Sequence, residues 1–226
     1  MKKVILSLCL FAGVATTASA QFGLPAGLGG GSKSGAGQDT GALVEKFNAQ
    51  NYLISKTVAQ SLEQIIAALA DKEVIAAEKE RYEAIQKITD PQEKAKQEGT
   101  LIKEASAEAQ KAMDSNAAQE RMKNLSPEMQ KKVAKAILNV GIAALQIPGM
   151  IDTGKQTIQS VASNPLQIGK VAPVKDGVAL FVDVLPKMVK IGSSGVKLLQ
   201  DVKIKAEAPS ATATLQPSNE SPFGPN

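Results

Sequence analysis

The sequence predicts an all-α protein: a bundle of four to five antiparallel helices between disordered N- and C-terminal tails. Three observations lead there. Apolar residues recur at spacings of three and four over long stretches, no useful length of chain alternates apolar with polar residues, and proline-based helix starts stand at 90–91 and 126–127. The longest periodic stretch, Pro173 to Lys205, organises the rest. Val178, Val182, Leu185, Val189, Val196 and Leu199 form one row in it, and Gly192 marks the place where a large side chain is missing. Phe181, Met188 and Val202 lie on one flank of that row; Val184, Ile191 and Leu198 lie on the other. Asp176, Asp183, Lys190 and Lys197 keep a seven-residue polar interval. An apolar face this wide needs more than one neighbour, so the stretch reads as the core helix.

The ends come next. Residues 1–20 read as a signal peptide: Lys2 and Lys3 start it, the apolar run Val4 to Val14 is too short to span a bilayer, and Ala18-Ser19-Ala20 is a small-x-small site with cleavage after Ala20. Cys9 is a poor lipoprotein anchor, since Leu8 precedes it where a small residue is expected. The expected location is periplasmic or secreted. Cys9 is the only cysteine and leaves with the signal, so the exported chain holds together by burial and without disulfides. Residues 21–39 read as a Gly-rich flexible linker, 40–206 as a single helical domain, and 207–226 as a disordered tail of Pro, Ser, Thr and Ala. Phe22, Leu24, Leu28 and Phe223 are the residues of these ends able to anchor on a partner.

Within the domain, Thr40 is a fair N-cap. Val44, Phe47, Ile54, Val58, Leu62, Ile65 and Leu69 then share a face that Asn51 interrupts, predicting a helix to about Ala70. Asp71 caps or kinks the start of a charged segment that runs to Ile88 and is mostly solvated. Asp90-Pro91 starts a helix to about Ser115, with the thin inner face Ile102, Ala105, Ala109 and Met113. Ser126-Pro127 starts another, lined by Val133, Ile137, Val140, Ala144, Ile147 and Ile151. Lys132, Asn139, Gln146 and Thr153 hold its opposite side at sevenfold spacing. Pro148-Gly149 is expected to kink or break this helix, and Asn164-Pro165 to end it. In the last helix Pro186 and Ser193-Ser194-Gly195 should bend the rod without ending it.

Charge and residue types then narrow the chemistry. Residues 71–135 hold thirteen acids and thirteen bases, whereas 136–206 hold eight lysines against four aspartates. The net charge of +4, which falls to about +2 once Lys2 and Lys3 leave with the signal, and the 3% aromatic content argue against nucleic acid as a partner. There is no histidine, and no cysteine beyond Cys9, so the usual triads and most zinc and copper sites are excluded; no metal or other cofactor is expected. Three fragments imitate catalytic motifs. Gly149 to Lys155 fits GxxxxGK, but Gln156 stands where a magnesium-binding Ser or Thr belongs and no strand precedes it. Asp152-Thr153-Gly154 resembles an aspartic-protease triplet but has no second copy. Ser194 to Lys197 fits SxxK without its companion motifs.

The expected function is therefore not enzymatic: a periplasmic helical protein that binds a protein or an envelope component. The alternatives are a lipid or membrane-surface binder and a periplasmic holding chaperone. No motif supports the chaperone. For lipid or partner contact the candidate residues are Lys187, Lys190 and Lys197, cations beside the apolar face of the last helix.

Overall fold

The stripe from Val44 to Leu69 forms one continuous helix, α1 (Thr40–Leu69), and all seven of its predicted core residues are buried. This computed structural model describes residues 40–162, 169, 171–218 and 223, all within one compact unit, residues 31–226. The signal peptide, the Gly-rich linker, residues 163–168 and 170, which include part of the connector at 166–172, and residues 219–222 and 224–226 of the C-terminal tail lie outside the described residues. Those described form six helices and no strand, so the protein is all-α.

Local chemistry explains where each element begins. α2 (Lys72–Gln86) starts behind Asp71, whose carboxylate does not cap it but pairs with Arg121. The same guanidinium donates to the Leu69 carbonyl at 2.6 Å, so one side chain closes the α1–α2 corner. Asp90 caps α3 (Pro91–Asp114) as its sequence predicts, accepting from the Glu93 N–H at 2.7 Å with Pro91 in the first turn. A short helix not separated by sequence reading follows, α4 (Ala118–Asn124), which buries Ala118 and Met122. Ser126 then accepts from the Met129 N–H at 3.3 Å and opens α5 (Pro127–Ala162). The last helix is α6 (Ala172–Asp201).

α5 packs on α1 and α6, and α3 packs on the same two helices from the other side; α2 lies on α3 and α1. Contacts along the rods give their directions. Gly154 of α5 packs on Phe47 of α1 and Val178 of α6, Gly141 faces Gly192, and Ile137 faces Gly195, so α5 runs against α6. α3 runs with α6: Lys103 Nζ meets Asp183 at 2.6 Å and Ser194 Oγ donates to Asp114 at 3.2 Å. Short connections favour antiparallel neighbours in sequence. α3 and α6 are not such neighbours, because α5 carries the chain back between them.

Two expectations change on the structure. The row Val178, Val182, Leu185, Val189, Val196, Leu199 is not the centre of the α6 core face. Val182 is 51% and Val189 53% exposed, whereas Phe181, Val184, Met188, Ile191 and Leu198 are buried. The cause is glycine. Gly177, Gly192 and Gly195 are buried, and they let α1, α5 and α3 approach on the side where large residues thin out. A Cβ on Gly192 would stand 3.2 Å from the Gly141 Cα, and one on Gly177 2.9 Å from the Asn51 amide. Asn51, the polar break in the α1 stripe, therefore fits because α6 has no side chain opposite. The second concerns Pro148-Gly149, where the sequence predicts a kink or a break: there is no break, since α5 is one helix across them. Pro148 and Pro186 both lie on exposed positions; the carbonyls they leave without a helical N–H are those of Ala144 and Val182, and that of exposed Val182 can turn to water.

α6 ends in a Schellman turn. Ile204 N–H donates to the Leu199 carbonyl at 2.8 Å and Lys203 N–H to that of Gln200 at 3.0 Å, with Lys203 at φ 61°. Glycine usually fills this left-handed position, so Lys203→Gly is expected to stabilise the protein by about 1 kcal/mol. A rise in the urea midpoint at unchanged slope would verify it. The turn sends the following residues back over α5. Residues 204–218 form neither helix nor strand, and a turn at 210–213, closed by the Ala213 N–H on the Ser210 carbonyl at 3.1 Å, interrupts them. The segment is seated, with Leu215 buried in the main core cluster and Asn139 and Gln146 binding the backbone beside it. Side-chain amides on α5 supply the hydrogen-bond partners that the segment itself lacks.

Candidate functional site

The three lysines singled out from the sequence have different surroundings. Successive helical residues turn by 100°, so Lys190 and Lys197, seven apart, project together, whereas Lys187 lies about 60° round the helix. Lys187 is half-buried and donates to the Lys103 carbonyl at 3.3 Å, tying α6 to α3. It also lines a cleft of about 450 Å³ with Gln110, Lys111, Asp114 and Ser115. Lys190 and Lys197 are exposed, and beside them run exposed Val182 and Val189, with Leu185 and Val196 half-buried at the edge. The outer edge of α6 is therefore an apolar strip flanked by cations. Sequence reading found both components but assigned the valines to the core.

The catalytic look-alikes fall on continuous helix. Gly149 to Lys155 lies within α5, where backbone N–H groups bond along the rod and form no phosphate cradle. Gly154 packs on Phe47 and Val178, and Asp152 and Lys155 are exposed. Ser194 bonds to Asp114, while Lys197 points to solvent.

A feature that sequence reading missed lies between α1, α2 and α3. Glu63 is 1% and Glu78 3% exposed. Among the described residues neither oxygen of Glu63 accepts a hydrogen bond, nor does Oε2 of Glu78. Burial, reinforced by Glu78 and Glu98, pushes the Glu63 carboxyl up to about 8, so it is largely protonated at neutral pH. Burial also raises Glu78, against the opposing pull of Arg81, which contacts it at 2.6 Å and reaches Glu104 at 3.0 Å. The Tyr82 hydroxyl is pushed up by burial and by Glu63 and Glu98. By contrast, the buried hydroxyls of Thr57 and Thr157 are satisfied by carbonyls one turn back, each at 2.8 Å. Among the described residues no three acidic side chains converge as a metal site. The two acids lie beneath α2 and line neither of the clefts described in this section.

The second cleft, about 330 Å³, lies between α1, α5 and the C-terminal segment. Gln60, Ser61 and Gln64 line it from α1, Lys132, Lys135 and Asn139 from α5, and Gln216, Pro217 and Ser218 from the segment. Beyond it the ring of Phe223 lies 6.1 Å from that of Tyr82, tilted by 57°. The anchor residue foreseen at this end thus contacts the protein's own α2. Comparison with protein-family models, curated proteins and solved structures finds no match for this chain.

Proposed function

We propose that this is a non-enzymatic, exported helical-bundle protein of the cell envelope that binds a partner protein through the outer edge of α6. One observation carries the reading: Val182 and Val189 stand more than half exposed on a helix whose other large apolar residues are buried or half-buried, with Lys190 and Lys197 beside them. Exposed valines give a small desolvation gain, and paired cations orient an acidic partner. A photo-crosslinker at Val189 is expected to give one discrete adduct in cells, with none from the same probe at Asp152. Val182→Asp with Lys190→Glu should reduce the adduct yield about tenfold without changing the circular dichroism. No adduct, or equal adducts at both positions, would defeat the reading.

The same strip supports a second reading, an anionic lipid surface, in which valines enter the headgroup boundary and lysines meet phosphates. Flotation with vesicles of phosphatidylglycerol at low salt, lost at high salt, would favour lipid over protein. A holding chaperone has no comparable residue-level support.

A further inference from the structure

The polar stripe of α5 reads peptide backbone. Asn139 Nδ2 donates to the Gln216 carbonyl at 2.9 Å, and its Oδ1 accepts from the Gln216 N–H at 3.0 Å. A side-chain amide that binds the N–H and C=O of one residue reproduces half of a β-ladder pair. One heptad further along, Gln146 Nε2 donates to the carbonyls of Ala213 at 2.8 Å and Ala211 at 3.1 Å. The spacing fits. Seven helical residues rise about 10.5 Å, and the three residues from Ala213 to Gln216 span about 10 Å when extended. The next member of the stripe, Lys132, lines the cleft that Pro217 and Ser218 enter, so the register carries on.

Two seats for side chains accompany the amide clamps: Leu215 lies within the clamped stretch, and Pro209 lies ahead of the Ser210–Ala213 turn that leads into it. Gly141 has no side chain where Pro209 rests: a Cβ there would lie 3.0 Å from the ring. Leu215 is 7% exposed. At the far end the Gln60 Oε1 is buried and accepts no hydrogen bond among the described residues, an acceptor beyond those that hold Gln216. Clamps that grip backbone, with two small apolar seats, specify a class of ligand and not a single sequence.

We infer that the face of α5 carrying Asn139 and Gln146 is a peptide-binding groove for an uncharged, proline- and alanine-rich segment of a partner protein, turned at its start and extended along the amides, and that residues 209–217 of the chain occupy it as a competitor. The competitor is tethered by the Schellman turn at Lys203, so its effective concentration is high and a free segment must displace it. This goes beyond the α6 reading: the face is different, and the α6 variants leave it intact.

The test uses the full chain and a fluorescein-labelled peptide of residues 206–218. Leu215→Asp, which unseats the tail, is expected to speed amide exchange of residues 209–217 and to bind the peptide at least about tenfold more tightly than the wild-type chain. Ala213→Asp serves the same end if Leu215→Asp does not fold. Adding Asn139→Ala to either variant should abolish binding, and a peptide carrying Asp at the Leu215 position should not bind. A freed tail with no peptide binding would overturn the groove, as would binding indifferent to Asn139→Ala, or tail protection unchanged in both variants. A wild-type dimer whose tail loses protection on dilution would assign the groove to a second copy's tail and overturn the partner reading.

Discussion

Glu63→Gln will stabilise the protein above neutral pH and remove the larger part of its alkaline sensitivity. The Glu63 carboxyl sits near 8 in the folded chain and near 4.5 when exposed, chiefly because burial disfavours its charge. Between those values the folded state holds a proton that the unfolded state has lost. Stability therefore falls as pH rises from about 4.5 to about 8 and levels off above, where the carboxylate is ionised in both states. The shift corresponds to roughly 4–5 kcal/mol across that window, at about 1.4 kcal/mol per pKa unit. Glutamine matches the neutral acid in shape and carries no charge at any pH, so the variant and the parent should converge near pH 4 and separate by that amount near pH 8.5. Urea unfolding at both values measures it. A parallel shift at all pH values would mean that Glu63 is not protonated in the folded state. Glu78, raised in the same direction, should leave a smaller residual slope in the variant.

The second large effect concerns Gly154. A side chain there would run into Val178 Cγ2, with the Phe47 ring atoms at 2.8 and 3.2 Å, and Phe47 is fully buried. Alanine gains about 1 kcal/mol of helix propensity over glycine, but overpacking a rigid core costs about 1–3 kcal/mol. Gly154→Ala should therefore lower stability by roughly 1–2 kcal/mol, and Gly154→Leu should prevent folding, since α1, α5 and α6 meet at that point. Gly149, one turn and a residue earlier in the same helix, is the internal control. Among the described residues a Cβ there meets nothing within 4 Å, so Gly149→Ala should be neutral or stabilising by up to about 1 kcal/mol. Val178→Ala combined with Gly154→Ala should recover part of the loss, a coupling that denaturation of the four chains would reveal.

These residues also show what the sequence makes legible. The starts of α3 and α5 were readable because their caps are local: Asp90 and Ser126 bond to N–H groups three residues on. The core face of α1 was readable because large residues mark it. The core face of α6 was misjudged because its closest contacts are made at glycines, which a count of large apolar residues passes over. Glu63 follows Leu62 as one more surface acid on a helix, and only the packing of α2 and α3 over it shows otherwise. At the candidate site, the sevenfold spacing of Lys132, Asn139 and Gln146 was visible, but not the chain they hold, since amides gripping backbone leave no pattern in the partner's side chains. The lysines of α6 were found, whereas their division between the α3 contact and the open edge depends on how the helix is rotated in place.

The order in which the helices meet has a consequence for biosynthesis. α1 finds its main partners in α3 and α5, and α3 finds one of its own in α6, the last helix made. At about 5–20 residues per second, a ribosome completes α5 roughly 5–20 s after α1. Through that interval the nascent chain carries the Val44-to-Leu69 stripe without the helix that finally covers it, while α2 and α3 can already fold on one another as a local hairpin. Closure of the core is a late, long-range event, and the unfinished polypeptide is the form most open to aggregation.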